Sequence, residues 1–129
     1  MNVKPRILVV DDDPVARHIL QSILSAGNFE PVITSSGKEA FAFMERAQQQ
    51  CTLPKAVLVD LQLEDMSGVA MVKTWRGSPE LKHIPLIMLS ANSEAEVRKD
   101  APGLSIDAFL EKPFTTEDVL ETLARILLR

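Results

Sequence analysis

The sequence predicts an α/β domain built on a parallel sheet with helices on both faces, and three observations lead there. Short apolar runs of strand length recur at Ile7 to Val10, Val32 to Ile33, Ala56 to Val59, Leu86 to Leu89 and Ala108 to Leu110. Segments with helical spacing lie between and after them. The length of 129 residues suits one domain, since a domain commonly takes roughly 100 to 200. Parallel neighbours need crossover connections, and helical crossovers cover both faces of the sheet. Buried parallel strands therefore read as continuous apolar runs rather than as alternating ones.

The elements follow in order. The first run ends in Asp11-Asp12-Asp13, and Asp13-Pro14 opens a helix. Asp13 can cap it, and Pro14 takes the first helical position, where its missing N–H is no loss. Val15, Ile19 and Ile23 form one apolar stripe of that helix, with Ala16, Leu20 and Leu24 beside it, and Gly27 suits its end. The second run leads through Thr34-Ser35 to Ser36, a cap for a helix through Ala40, Phe43 and Met44. The third run ends in Asp60, and a helix from about Val69 to Trp75 follows the Ser67-Gly68 turn. The fourth run ends in Ser90, with Ser93 and Glu96 spaced as a capping box before a short helix near Val97. The fifth leads through Glu111 to Lys112-Pro113, and Thr115 or Thr116 starts a last helix carrying Val119, Leu123, Ile126 and Leu127 on one stripe. No repeat, linker or low-complexity segment interrupts the pattern.

Composition narrows the function. Apolar residues make up 46% and charged ones 25%, ordinary globular usage. Lys and Arg number 14 against 18 Asp and Glu, giving a net charge of −4 and a pI near 5.2. That balance offers no basic footprint, so neither direct nucleic-acid binding nor an anionic membrane surface is expected. No apolar run approaches the roughly 20 residues of a bilayer helix. The lone Cys51 supplies neither an internal disulfide nor a thiolate metal site, and a free thiol fits a reducing, cytoplasmic setting.

In doubly wound sheets the ligand site lies outside the carboxyl ends of the strands, where strand order reverses, so the residues that end the strands carry the functional question. If the first and third runs are neighbours, Asp11, Asp12 and Asp60 converge. Carboxylates within a few ångströms repel unless protonated or joined by a cation. Oxygen ligands without a His cluster point to a hard divalent ion such as Mg²⁺, which binds one or two carboxylates plus waters and phosphate oxygens. Lys112 and Ser90 offer a point charge and a hydroxyl donor, which suit a phosphoryl group. Taken singly, each of these residues has a plainer reading: Asp11 and Asp12 as a helix cap with a solvated neighbour, Ser90 as a turn former, Lys112 as a surface lysine on a tight turn. His18 and His83 lie on different elements and read as solvated or core residues, Arg98-Lys99 as a solvated face, and the methionines as core filler.

ILVVDDDP, VLVDLQLEDMSG, PLIMLSA and AFLEKPF, in this order and spacing, resemble the four signature segments of the receiver domains of two-component response regulators, of the chemotaxis-regulator type. The resemblance covers nearly the whole chain, 1–129, as one receiver domain. It implies a flavodoxin-like sheet of strand order 2-1-3-4-5 with five helices. It implies that Asp60 is the phosphoacceptor, taking a phosphoryl group from a histidine kinase or histidine phosphotransfer protein. Asp12, Asp60 and the Gln62 carbonyl would hold Mg²⁺, with Asp11 acting mainly through bound water. Lys112 would pair with a phosphoryl oxygen across a cis bond to Pro113. Ser90 and Phe109 would form the switch that changes the surface shown to an effector, with a phosphorylation-dependent dimer as another form of output. Gln62 and Asn92 occupy the positions that tune phosphoryl lifetime. Two departures stand out: Glu64 replaces a frequent proline in the acceptor loop, and Phe109 lacks a phenolic hydroxyl.

Other classes fit less of the chain. A phosphorylation-independent interaction module on the same fold is the main alternative. A haloacid-dehalogenase-like phosphatase shares an Asp-x-Asp strand end, which Asp11 and Asp13 imitate, but calls for a second acidic pair where Asp118 stands alone. A flavin mononucleotide site calls for a hydroxyl- or glycine-rich loop where three aspartates stand. An EF-hand counted from Asp11 would need Gly where Ala16 is and Glu where Ser22 is.

Overall fold

A computed structural model describes residues 3–128. The elements run β1 (Arg6–Val10), α1 (Pro14–Ala26), β2 (Glu30–Thr34), α2 (Gly37–Gln49), β3 (Ala56–Asp60), α3 (Gly68–Arg76), β4 (Leu86–Ser90), α4 (Glu94–Asp100), β5 (Ala108–Glu111) and α5 (Thr116–Leu127). All strands are parallel, in the order β2-β1-β3-β4-β5. The chain leaves β1 toward one edge and returns as β3 on its other side, so the reversal falls between β1 and β3. Their register pairs Val10 with Val59, which sets Asp11 and Asp60 level at the carboxyl edge.

Strand residues alternate between two apolar layers. Leu8, Val10, Val57, Val59 and Met88 pack with α2, α3 and α4 through Met44, Met71, Trp75 and Val97. Ile7, Val9, Leu58, Ile87 and Leu89 pack with α1 and α5 through Leu20, Leu24, Val119 and Leu123. Burial on both faces explains why β3 and β4 are buried at every position and read as unbroken apolar runs. The edge strand β2 is longer than its apolar pair suggested, beginning at Glu30 and Pro31, which an edge tolerates.

Local chemistry sets the helix ends. Asp13 accepts from the Val15 N–H, Ser36 from Glu39, Ser67 from Val69 and Ala70, and Ser93 from Glu96. The reciprocal capping box is found at Thr115 and Asp118, which places that acidic side chain in a structural role. The apolar side of α1 is narrower than its two stripes imply. Ala16, Leu20, Ile23 and Leu24 are buried, whereas Val15 and Ile19 are 65% and 42% exposed. These two side chains face away from the sheet, past the Lys112-Pro113 turn, while Ile23 of the same stripe turns into the core. No helix among the described residues is long and apolar enough to cross a membrane.

Candidate functional site

The site is built on strand ends. Asp11 follows β1 and is fully buried, yet every polar group it carries is partnered. Its N–H donates to the Thr34 carbonyl at 3.2 Å, and its own carbonyl accepts from Arg17 Nη1 at 3.0 Å. Oδ1 accepts from the Asp13 N–H at 3.0 Å, and Oδ2 from Lys112 Nζ at 2.9 Å. Asp12 is half-buried, and its Oδ2 accepts from the Glu64 N–H at 2.9 Å. Asp60 closes β3, with Oδ2 at 3.5 Å from Lys112 Nζ. The Lys112-Pro113 bond is cis.

One ammonium thus pairs with two of three carboxylates whose ligand oxygens lie within 4.8 Å of one another. Burial pushes the Asp60 carboxyl up to about 6, and the neighbouring Asp11 charge adds to the rise, while Lys112 pulls against both. Burial works to lower the Lys112 ammonium, but its hydrogen bond to Asp11 and the charges of Asp11 and Asp60 outweigh that and hold it above its ordinary value. The donor set is wholly oxygen, acidic beyond what Lys112 neutralises, and open at Asp12. That chemistry fits a hard divalent cation.

Beside the carboxylates, Asp60, Gln62, Ser90, Asn92 and Lys112 line a polar cavity of about 230 Å³. Ser90 is buried at the end of β4, and its Oγ accepts from the Asn92 N–H at 2.9 Å. Next to it, across Ala91 and Lys112, lies an apolar hollow of about 370 Å³ lined by Val15, Ala16, Ile19, Pro113 and Phe114. Phe109 is elsewhere: half-buried on β5, it packs against the α3 and α4 side of the core and borders a different hollow, with Asp118 and Arg125. The fold therefore brings seven of the sequence-derived residues, Asp11, Asp12, Asp60, Gln62, Ser90, Asn92 and Lys112, to one edge and leaves Phe109 one layer away. His18 is exposed on α1 and His83 is exposed in the connection between α3 and β4.

Several residues that shape the site carry no motif signal of their own. Gly68 is one: a Cβ there would collide with the Asp60 carbonyl oxygen, so β3 and the start of α3 approach as closely as they do only because residue 68 is glycine. The sequence marks Ser67-Gly68 as a turn and no more. Arg17 and Asp65 reach their partners through the fold, by hydrogen bonds to Asp11 and to the first turn of α2.

Comparison with known proteins places the chain. The response regulator receiver domain family matches residues 7–124. The chain belongs to that family, a family of signalling domains. It is 31% identical over 121 residues to a two-component response regulator of rice (Oryza sativa subsp. japonica), covering 88% of this chain and 52% of that protein. It is 30% identical over 125 residues to the phosphate regulon transcriptional regulatory protein of Rhizobium meliloti, covering 97% and 53%. The chain thus spans about half the length of these relatives. Among solved structures it is similar to a chemotaxis response regulator of Vibrio cholerae, with a TM-score of 0.85, 26% identity and coverage of 97% and 100%. A response regulator of Chloroflexus aurantiacus aligns at a TM-score of 0.88, with 26% identity and coverage of 98% and 100%.

Proposed function

We propose that this chain, over residues 1–129, is a two-component receiver that takes a phosphoryl group on Asp60 in a Mg²⁺-dependent reaction and passes the change to an effector. The observation that supports it most is the position of Asp60: a carboxylate at the wall of a polar cavity, 3.5 Å from Lys112 and within 4.8 Å of two further carboxylates. Asp11, Asp12, Asp60 and the Gln62 carbonyl would hold Mg²⁺, which when bound offsets charge on the transferring phosphoryl group.

In the transfer, an Asp60 carboxylate oxygen attacks phosphorus of a phosphohistidine. A P–O bond forms and the P–N bond breaks, with the electron pair leaving on the imidazole nitrogen, which takes a proton. Lys112 steadies an equatorial phosphoryl oxygen. Loss of the signal is the same chemistry with water as nucleophile: water attacks phosphorus, the carboxylate leaves and inorganic phosphate is released. Gln62 and Asn92, flanking the cavity, govern the approach of that water. Ser90 exchanges its hydrogen bond with Asn92 for one donated to the phosphoryl group, and Phe109 responds on β5.

The donor is a histidine kinase or histidine phosphotransfer protein whose histidine must come within bonding distance of Asp60. The apolar hollow bordered by Val15, Ile19 and Phe114 adjoins that approach, and exposed aliphatic side chains there suit a protein partner better than solvent. The setting is cytoplasmic. The test is incubation of the whole chain with Mg²⁺ and acetyl phosphate, followed by intact mass. Gain of one phosphoryl group, lost in Asp60→Asn, supports the reading. An unchanged mass in the wild type favours a phosphorylation-independent module, and turnover of a simple phosphate ester favours a phosphatase.

A further inference from the structure

The loop from Asp60 to Gly68 carries Asp60 and Gln62, and two neighbouring residues at its tip are tied to two different segments, the one after β1 and the start of α2. Its base is closed by backbone hydrogen bonds from the Leu61 N–H to Leu89 at 2.9 Å and from the Gly68 N–H to Leu61 at 2.7 Å. A turn joins the Leu63 N–H to Met66 at 3.2 Å, and Gln62 pairs with Ser67. The tip of that turn is Glu64-Asp65. The Glu64 N–H is spent on Asp12 Oδ2 at 2.9 Å. The Asp65 carboxylate spans the start of α2, with Oδ1 accepting from the Gly37 N–H at 3.0 Å and Oδ2 from the Lys38 N–H at 2.9 Å.

These bonds complete the first turn of α2. Ser36 serves Glu39 through its hydroxyl and Ala40 through its carbonyl, and Asp65 supplies the other two acceptors from a distant part of the chain. Met66 packs so closely on Gly37 that a side chain at 37 would meet it. Both backbone donors pull the Asp65 carboxyl below its ordinary value, Gly37 first. Asp65 thus caps α2 beside Ser36, and the same bonds fix the turn that presents a backbone N–H to Asp12.

We propose that Asp65 is a positioning residue: by clamping the N-terminus of α2 it holds the acceptor loop so that Glu64 orients the Asp12 carboxylate and Gln62 presents its carbonyl to the same centre. This rests on the reading of Asp11, Asp12 and Asp60 as a divalent-cation site. With glutamate in place of a stiffening proline at 64, the loop has no fixed φ of its own there, and the clamp supplies the constraint from outside. Partners of metal ligands commonly set affinity by roughly 10- to 100-fold. Asp65 acts one peptide further out, so a smaller factor follows.

The experiment is Mg²⁺ titration of the whole chain by calorimetry, with thermal unfolding measured in parallel, for wild type, Asp65→Ala and Asp65→Asn. In Asp65→Ala the dissociation constant rises by about 3- to 10-fold. Asp65→Asn keeps one acceptor oxygen and falls between. By linkage, Mg²⁺ slows hydrogen exchange at the Gly37 and Lys38 amides of the wild type, and that response disappears in Asp65→Ala. If Asp65→Ala melts earlier but binds Mg²⁺ as the wild type does, Asp65 is only a helix cap and the inference is overturned. If Mg²⁺ gives neither heat nor a rise in the wild type's unfolding temperature, the cation site fails, and this inference with it.

Discussion

Lys112 stands closer to Asp11 than to Asp60, its Nζ lying 2.9 Å from Asp11 Oδ2 and 3.5 Å from Asp60 Oδ2. The lysine is therefore first the counter-ion of a carboxylate with no solvent exposure, and second a partner of Asp60. Removing it strands a buried charge. Breaking a buried pair costs roughly 3 to 5 kcal/mol, and because part of the Lys112 side chain meets solvent, about 2 kcal/mol is expected for Lys112→Met without Mg²⁺. Urea unfolding measures it, and adding Asp11→Asn should recover most of the loss.

The Asp60 carboxyl, pushed up to about 6 from 3.8, makes metal-free stability depend on pH. Its folded-state affinity for a proton exceeds the unfolded one, so its contribution is full below pH 3.8 and is lost as pH rises through about 6. Between those limits the wild type should lose on the order of 3 kcal/mol from this group, and Asp60→Asn should lack that decline. Saturating Mg²⁺, which binds the ionised form, should restore stability above pH 6. Denaturation at fixed pH steps, with and without Mg²⁺, shows whether the two curves part there.

Gly68 and Gly77 give a matched comparison. At 68 a Cβ meets the Asp60 backbone, whereas at 77 its nearest neighbours are the Lys73 and Thr74 carbonyls at ordinary contact distances of 3.4 and 3.6 Å. Gly68→Ala should cost about 2 kcal/mol or more and slow phosphorylation by displacing Asp60. Gly77→Ala should be neutral or stabilise by up to about 1 kcal/mol. Thermal unfolding of the two variants separates them.

On α1 the neighbouring apolar residues Leu20 and Ile19 should behave oppositely. Leu20→Ala empties a fully buried position and should cost about 2 to 5 kcal/mol. Ile19→Ala, at an exposed position, should change stability by less than about 0.5 kcal/mol. It should also leave the rate with acetyl phosphate unaltered while slowing transfer from a phosphorylated protein donor.

How far the sequence speaks for the structure depends on the range of the signal. β3 and β4 are legible because both of their faces are buried, and the caps at Asp13, Ser36 and Ser93 are legible because capping is local. The strand-end rule locates Asp11, Asp12, Asp60, Ser90 and Lys112 without coordinates. Which apolar residues of α1 face the sheet is not legible: Val15 and Ile19 are as apolar as Leu20 and Leu24, and only packing decides between them. Asp65 and Gly68 are silent for a related reason. One acts on α2, some 27 residues earlier in the chain, and the other on a carbonyl eight residues before it. Neither relationship leaves a periodic trace. Arg76 likewise joins Asp107 at 2.7 Å through the fold alone.

The most direct measurement locates the phosphoryl group. The whole chain is incubated with acetyl phosphate and Mg²⁺, reduced with borohydride to trap an acyl phosphate, and mapped by peptide mass. Modification at Asp60 alone, abolished by a chelator and by Asp60→Asn, is the expected result. An unmodified Asp60, or a label that persists at another residue in Asp60→Asn, would contradict the assignment of Asp60 as acceptor.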